Sequence, residues 1–150
     1  YPAIRPRQTR RATIVSLAST TVVDFLVDKG LPRGNKLMQG LRVPQWILRQ
    51  KTYKIACVRG LMDTDGCLVL HKHKVARNTY KNLYLSFSSA APELLDQVAQ
   101  IFLGLGLTPH LAMGQREINL YRLGDVQKYL RIVGTSNERI RRVYEKWRDG

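Results

Sequence analysis

Residues 58–66 read Val58-Arg59-Gly60-Leu61-Met62-Asp63-Thr64-Asp65-Gly66, and the fold turns on what these nine residues are. Residues 51–63 have helical spacing, and on that helix Ala56 and Gly60 stand four apart on one nearly flat face. Such a face lets a second helix approach backbone to backbone. Asp63 and Asp65 stand together at the end of the same helix, where the macrodipole is negative. A carboxylate there costs about 0.3–1 kcal/mol instead of contributing. Taken alone, Asp63-Thr64-Asp65-Gly66 is also ordinary turn composition, because Asp and Gly favour turns whatever the function. The small residues before it and the strands after it set it apart.

Downstream, residues 67–75 (CLVLHKHKV) and 79–88 (TYKNLYLSFS) have strand character and are separated by a polar turn around Arg77 and Asn78. Alternation sends Leu83, Leu85 and Phe87 to a core, and Tyr80, Asn82, Tyr84, Ser86 and Ser88 to a wet face. Pro92 opens a helix whose stripe of Leu94, Leu95, Val98, Ile101 and Phe102 ends at Gly104 or Gly106. Two more strands are expected near 108–113 and 117–123, and helices near 125–133 and 136–147 close the chain. Upstream, the β-branched run 13–17 reads as a strand or hairpin end. Ser19 then caps a short amphipathic helix ended by Gly30, and residues 31–44 form a connector rich in Pro, Gly and cations. The segments DFLVDKG (24–30) and KYLRIVG (128–134) form a weak internal repeat. With the order of the flanking elements, it makes residues 1–43 the back part of one unit and residues 44–150 a complete second unit.

A chain of 150 residues with 44% hydrophobic content can build one core and is too short for two comfortable domains. Its 25 Lys and Arg outnumber 11 Asp and Glu, for a formal net charge of +14. That density self-repels unless something acidic balances it, and nucleic acid is the first candidate. A ribosomal or membrane-surface protein would match the charge alone. Two acids in an unfavourable helix field, on a chain built for a polyanion, make sense when a divalent cation joins them, and hard oxygen ligands favour Mg²⁺. Cys57 and Cys67 lack metal-ligand spacing, so neither a disulfide scaffold nor a zinc site is expected, and a reducing intracellular compartment fits. His71 and His73 share a strand face without a third ligand and read as ordinary surface residues. No apolar run approaches the roughly 20 residues of a membrane span, and no charged-then-apolar leader opens the chain. No membrane partner is expected, and Tyr1 in place of Met reads as numbering that starts inside a longer coding sequence.

The stretch 58–66 resembles the signature that names the LAGLIDADG homing endonucleases, keeping Gly60, Leu61, Asp63, Asp65 and Gly66. Around it GLPRGNK (30–36), RVPQWI (42–47) and LGLGL (103–107) extend the resemblance over most of the chain. The resemblance implies an α+β fold in which a curved antiparallel sheet makes a DNA saddle backed by helices. It implies site-specific double-strand DNA cleavage with Mg²⁺. In such enzymes the second acid of the signature holds metal and the first is structural, which assigns Asp65 to the metal, with the Thr64 carbonyl as an added ligand, and Asp63 to support. Ala56 and Gly60 then form the helix interface. One motif implies a homodimer, or else an N-terminal half outside this chain. The family often adds a lysine lying beyond the sheet, and Lys36 fits that place in the partial copy. Arg139 stands at the corresponding place in the full copy and departs from lysine, since arginine stabilises charge but does not readily lose a proton.

DNA reading is expected on the wet face of the sheet, because a twisted β-ribbon fits the major groove and alternate side chains reach base edges. Tyr80, Asn82, Tyr84 and Ser86 are the first candidates, with Lys72, Lys74, Glu117, Asn119 and Tyr121 added by alternation. A solvated sheet face is the plain alternative for each. The rival to an enzyme is a cleavage-deficient binder, such as an intron maturase, an RNA-bound structural component or a regulator, with RNA in place of DNA. Arg139 and the single motif favour the rival. Retention of Asp65 opposes it, because a carboxylate aimed at phosphate repels. The resemblance leaves the host element open between an intron, an intein and neither.

Overall fold

The computed structural model describes residues 4–8, 13–35, 38–112, 114 and 116–149. In chain order it contains β1 (Ile4–Gln8), β2 (Thr13–Leu17), α1 (Thr20–Asp28), α2 (Gln45–Leu48), α3 (Lys51–Asp65) and β3 (Gly66–Val75). Then come β4 (Asn78–Ser88), α4 (Pro92–Gly104), β5 (His110–Leu111), β6 (Glu117–Leu120), α5 (Leu123–Ile132) and α6 (Glu138–Arg148). The architecture is α+β, as expected. The last four strands form an antiparallel sheet in the order β3-β4-β6-β5, and β1 and β2 pair with each other in a separate hairpin.

Several boundaries differ from the sequence expectation. The motif helix runs to Asp65, so that helix passes into strand at Gly66 with no loop between. The hairpin turn lies at Ala76 and Arg77, because Val75 pairs with Asn78. β5 and β6 are shorter than expected, and β6 stops at Leu120 because Arg122 already serves as the N-cap of α5.

The core lies between one face of the sheet and the helices. Leu68, Leu83, Leu85, Phe87, Ile118 and Leu120 come from the strands, and Val58 and Met62 from α3. Leu94, Leu95, Val98, Ile101 and Phe102 fill the stripe expected on α4, and Val126, Tyr129 and Ile140 complete it from α5 and α6. Gly106 adopts φ +71°, which lets the chain reverse after α4 while the Leu107 amide returns to the Phe102 carbonyl at 3.0 Å. The connector before α3 is pinned at two points. Gln97 Oε1 accepts from the Val43 amide at 2.6 Å, and Trp46 Nε1 donates to the Lys29 carbonyl at 2.8 Å.

The β1-β2-α1 segment reproduces β5-β6-α5 in its pairing. Pro6 faces Val15 and Arg7 faces Ile14, while His110 faces Asn119 and Leu111 faces Ile118, the same register at a constant offset of 104. Carried into the helices, that offset matches Val22 with Val126 and Phe25 with Tyr129. The burial differs sharply. Val126 and Tyr129 are each 0% exposed, whereas Phe25 is 57% exposed and α1 has no buried residue. An apolar cavity of about 410 Å³ separates α1 from the core helices, with Phe25 and Leu26 on one side and Cys57, Leu61 and Leu94 on the other. Burial there pushes the Cys57 thiol above its ordinary range.

Candidate active site and nucleic-acid face

Gly66 follows directly on the last residue of α3, and the reason is space rather than backbone freedom. Its φ is −88°, open to any residue, but a Cβ there would stand 2.6 Å from the Met62 carbonyl oxygen and 2.9 Å from Met62 Cα. The strand can leave the helix this abruptly only where no side chain is present. Gly60 is the opposite case. A Cβ added to it meets no atom within 4 Å, so the face it shares with the exposed Ala56 is open.

The two acids of the motif have different surroundings. Asp63 is half-buried and engaged on both of its oxygens: it accepts from the Thr135 hydroxyl, and from the Ser136 amide at 2.8 Å. Its own backbone carbonyl accepts from Asn137 Nδ2 at 2.7 Å. Asp65 is exposed, and its carboxylate has the Thr64 hydroxyl at 3.2 Å. That hydroxyl also lies 3.1 Å from the carbonyls of Gly60 and Leu61, which holds it against its own helix. The Thr64 carbonyl lies in the last turn, where a helix has no partners of its own for its carbonyls. The oxygens of Asp65 and Thr64 are hard donors of the kind Mg²⁺ takes, so the residues fit the expected ion. Among the described residues no three His, Cys, Asp or Glu side chains gather as a metal cluster.

Arg139, expected from the full copy as the counterpart of a lysine lying beyond the sheet, is found beside this turn. Its guanidinium donates to the Gly66 carbonyl at 3.3 Å, next in sequence to Asp65. Lys36, the cation expected from the partial copy, lies outside the described residues.

On the sheet, the face opposite the helices is set by Gly66 at the start of β3. Odd-numbered positions 67, 69, 71 and 73 stand opposite Ser86, Tyr84, Asn82 and Tyr80, and Asn119 stands opposite Ser86 on the other side. Tyr80, Asn82, Tyr84, Glu117 and Tyr121 are there as expected, none of them buried. Lys72 and Lys74 are not. They alternate with Leu68 and Leu70 and belong to the helix side of the sheet, because the strand begins at Gly66 and its even positions face the core. Ser86 and Asn119 need a second correction: they are on the open face but only 4% and 2% exposed. The Ser86 hydroxyl donates to the Glu117 carboxylate, so two of the expected DNA contacts are made to each other.

In place of the lysines the open face presents His71 and His73, which the sequence reading passed over. His71 stacks on His73, and His73 on Tyr80, each at 5.5 Å between ring centroids. Farther along, Tyr121 meets Tyr84 and His110 at 5.6 Å each. What places the histidines on this face is the strand parity counted from Gly66, which is known only once the end of α3 is. No helix of the described residues is long and apolar enough to cross a membrane.

Comparison with known proteins follows this geometry. A family model described as a LAGLIDADG-like domain matches residues 52–148. No curated protein matches the chain. Among solved structures, the chain is similar to the homing endonuclease I-CvuI, solved in complex with an I-CreI target in the presence of 2 mM Mg with the DNA not cleaved. The identity is 18%, the match covers 59% of this chain and 60% of that one, and the TM-score is 0.48. It is also similar to the LAGLIDADG homing endonuclease I-GzeII, solved in complex with its DNA target, at 15% identity over 54% of this chain and 29% of that one, with a TM-score of 0.45. This chain therefore spans less than two thirds of either structure. The family match takes in the motif helix, the four-stranded sheet and every helix after it, and the chain belongs to the LAGLIDADG-like domain family.

Proposed function

We propose that this chain is one unit of a site-specific DNA endonuclease that hydrolyses phosphodiester bonds with a divalent metal, Mg²⁺ by the chemistry of the donors. The observation that carries the reading is the division between the two motif acids: Asp63 is engaged by the loop before α6, and Asp65 is left exposed at the end of the helix that carries the open Gly60 face. An exposed carboxylate on a chain of net charge +14 repels phosphate unless a cation intervenes. Asp65 and the Thr64 carbonyl would hold that cation, which would supply positive charge where a phosphodiester develops negative charge. Arg139 does not readily lose a proton, and its guanidinium is held at the Gly66 carbonyl beside Asp65. The open sheet face orients the duplex, with Asn82 suited to a base edge and Tyr80, Tyr84 and Tyr121 to sugar and phosphate. The test is cleavage of a plasmid library with Mg²⁺ by the wild type and by Asp65→Asn. Cleavage by the wild type alone supports the reading, and equal cleavage by both ends it.

Half a site requires a second unit, met through the Ala56 and Gly60 face. A homodimer supplies one. The uncovered α1 favours a second arrangement, in which residues 1–43 complete a first unit whose remaining elements lie outside these 150 residues. Residues equivalent to Phe25 and Val22 are sealed in the complete unit, which argues that α1 is built to be covered in the same way. Mass in solution separates the two: a stable dimer supports self-pairing, and a monomer supports the other arrangement.

The cleavage-deficient binder is favoured by one observation, the engagement of Arg139 with the Gly66 carbonyl where the family often has a lysine. Affinity for duplex DNA and for structured RNA across a salt series, run beside the cleavage assay, distinguishes it. RNA preference without cleavage selects the binder.

A further inference from the structure

The segment between α5 and α6, together with the first turn of α6, binds the acid-bearing turn from both sides. Before Asp65, the Thr135 hydroxyl and Ser136 amide hold the Asp63 carboxylate, and Asn137 Nδ2 holds the Asp63 carbonyl at 2.7 Å. After it, Arg139 holds the Gly66 carbonyl at 3.3 Å. The segment is itself braced, since the Asn137 amide donates to Thr135 Oγ1 at 3.0 Å and the Arg139 amide donates to Asn137 Oδ1 at 2.9 Å. Asn137 thus uses both ends of one carboxamide: its oxygen caps α6 and its nitrogen reaches the end of α3.

Helix ends fray, and an acid at the negative pole of the dipole adds to the tendency. Sites that direct a reacting group need it held within about 0.5 Å. Resting on the nuclease reading above, we propose that Thr135, Asn137 and Arg139 are positioning residues that clasp the last turn of α3 and so fix where Asp65 presents its carboxylate. Asn is the residue suited to the bridging position. Ser or Asp would cap α6 equally well, but neither supplies the amide donor that Asp63 accepts.

Asn137→Ser is the informative substitution, because it keeps the helix cap and removes only the bridge. On a duplex selected from a randomised library by binding to the wild type, its single-turnover cleavage falls about 10- to 100-fold and its half-saturating Mg²⁺ concentration rises several-fold. Duplex affinity measured without metal stays within threefold of wild type. Unchanged cleavage and Mg²⁺ dependence overturn the proposal, as does a loss of metal-free affinity that matches the loss of cleavage. Amide hydrogen exchange at residues 63–66 gives a readout that does not require activity. Asn137→Ser speeds exchange there at least tenfold while residues 94–102 keep wild-type rates, and equal exchange in the two proteins overturns the clasp. A wild type that never cleaves yet shows the exchange difference ends the nuclease reading and leaves the clasp standing.

Discussion

Tyr129 and Phe102 meet edge to face with ring centroids 6.0 Å apart, and the Tyr129 hydroxyl is buried with no hydrogen-bond partner among the described residues. An unsatisfied buried hydroxyl costs about 1–3 kcal/mol. Tyr129→Phe keeps the ring contact and removes that cost, so it raises stability by about 1 kcal/mol, read as an upward shift in Tm. Burial, and next the Asp63 carboxylate, raise the Tyr129 hydroxyl above its ordinary value of 10.0, while Arg59 acts the other way. A raised folded value means the contribution is fully present below about pH 10 and is lost as pH rises above the unfolded value. Wild-type stability therefore declines more steeply above pH 10 than that of Tyr129→Phe, and parallel slopes in urea titrations at pH 9 to 11 would contradict the assignment.

Gly60 and Gly66 respond oppositely to the same added methyl. Gly60→Ala meets open space and improves helix propensity, so it stabilises an unpaired chain by about 0.5–1 kcal/mol and weakens pairing through the α3 face. Gly66→Ala drives a Cβ against Met62 backbone atoms and destabilises by about 1–3 kcal/mol. Chemical denaturation reads both, and sedimentation reads the pairing.

Glu117 is the acid found on the open sheet face opposite the helices, and Ser86 is its partner there. Glu117→Gln removes a negative charge from a surface proposed to meet phosphate, so duplex affinity rises severalfold at low salt and the gain shrinks as salt is added. Ser86→Ala leaves direct contacts untouched, Ser86 being 4% exposed, and instead costs about 1 kcal/mol of stability. A drop in affinity for Glu117→Gln would show the carboxylate reading a base rather than repelling the backbone.

Much of this is legible in the sequence. The α4 stripe and the alternation of Leu83, Leu85 and Phe87 have the periods that burial on one face demands, and the structure buries them. The motif was legible because Gly66 and the two acids fall where helix meets strand. Lys72 and Lys74 misled because the parity of β3 is set by its first residue, and the exact end of α3 is not written in local composition. Ser86 and Asn119 misled because alternation assigns a face but says nothing of what neighbouring strands cover. The clasp on Asp63 joins residues about 70 positions apart, and no local pattern announces contacts at that separation.

β4 runs from Asn78 to Ser88, yet β6 pairs only with its last residues, Leu85 to Ser88. Beyond the buried Leu83, the five pairs from His71 with Asn82 to Val75 with Asn78, with the turn at Ala76 in the left-handed region, form a two-stranded arm of roughly 17 Å at about 3.4 Å per residue. Ribbons of two strands are marginal in water. Engagement of a ligand by this arm thus carries a thermodynamic mark of its own: a favourable enthalpy offset by the entropy of stiffening the tip, so that calorimetry and not affinity alone reports whether the hairpin takes part.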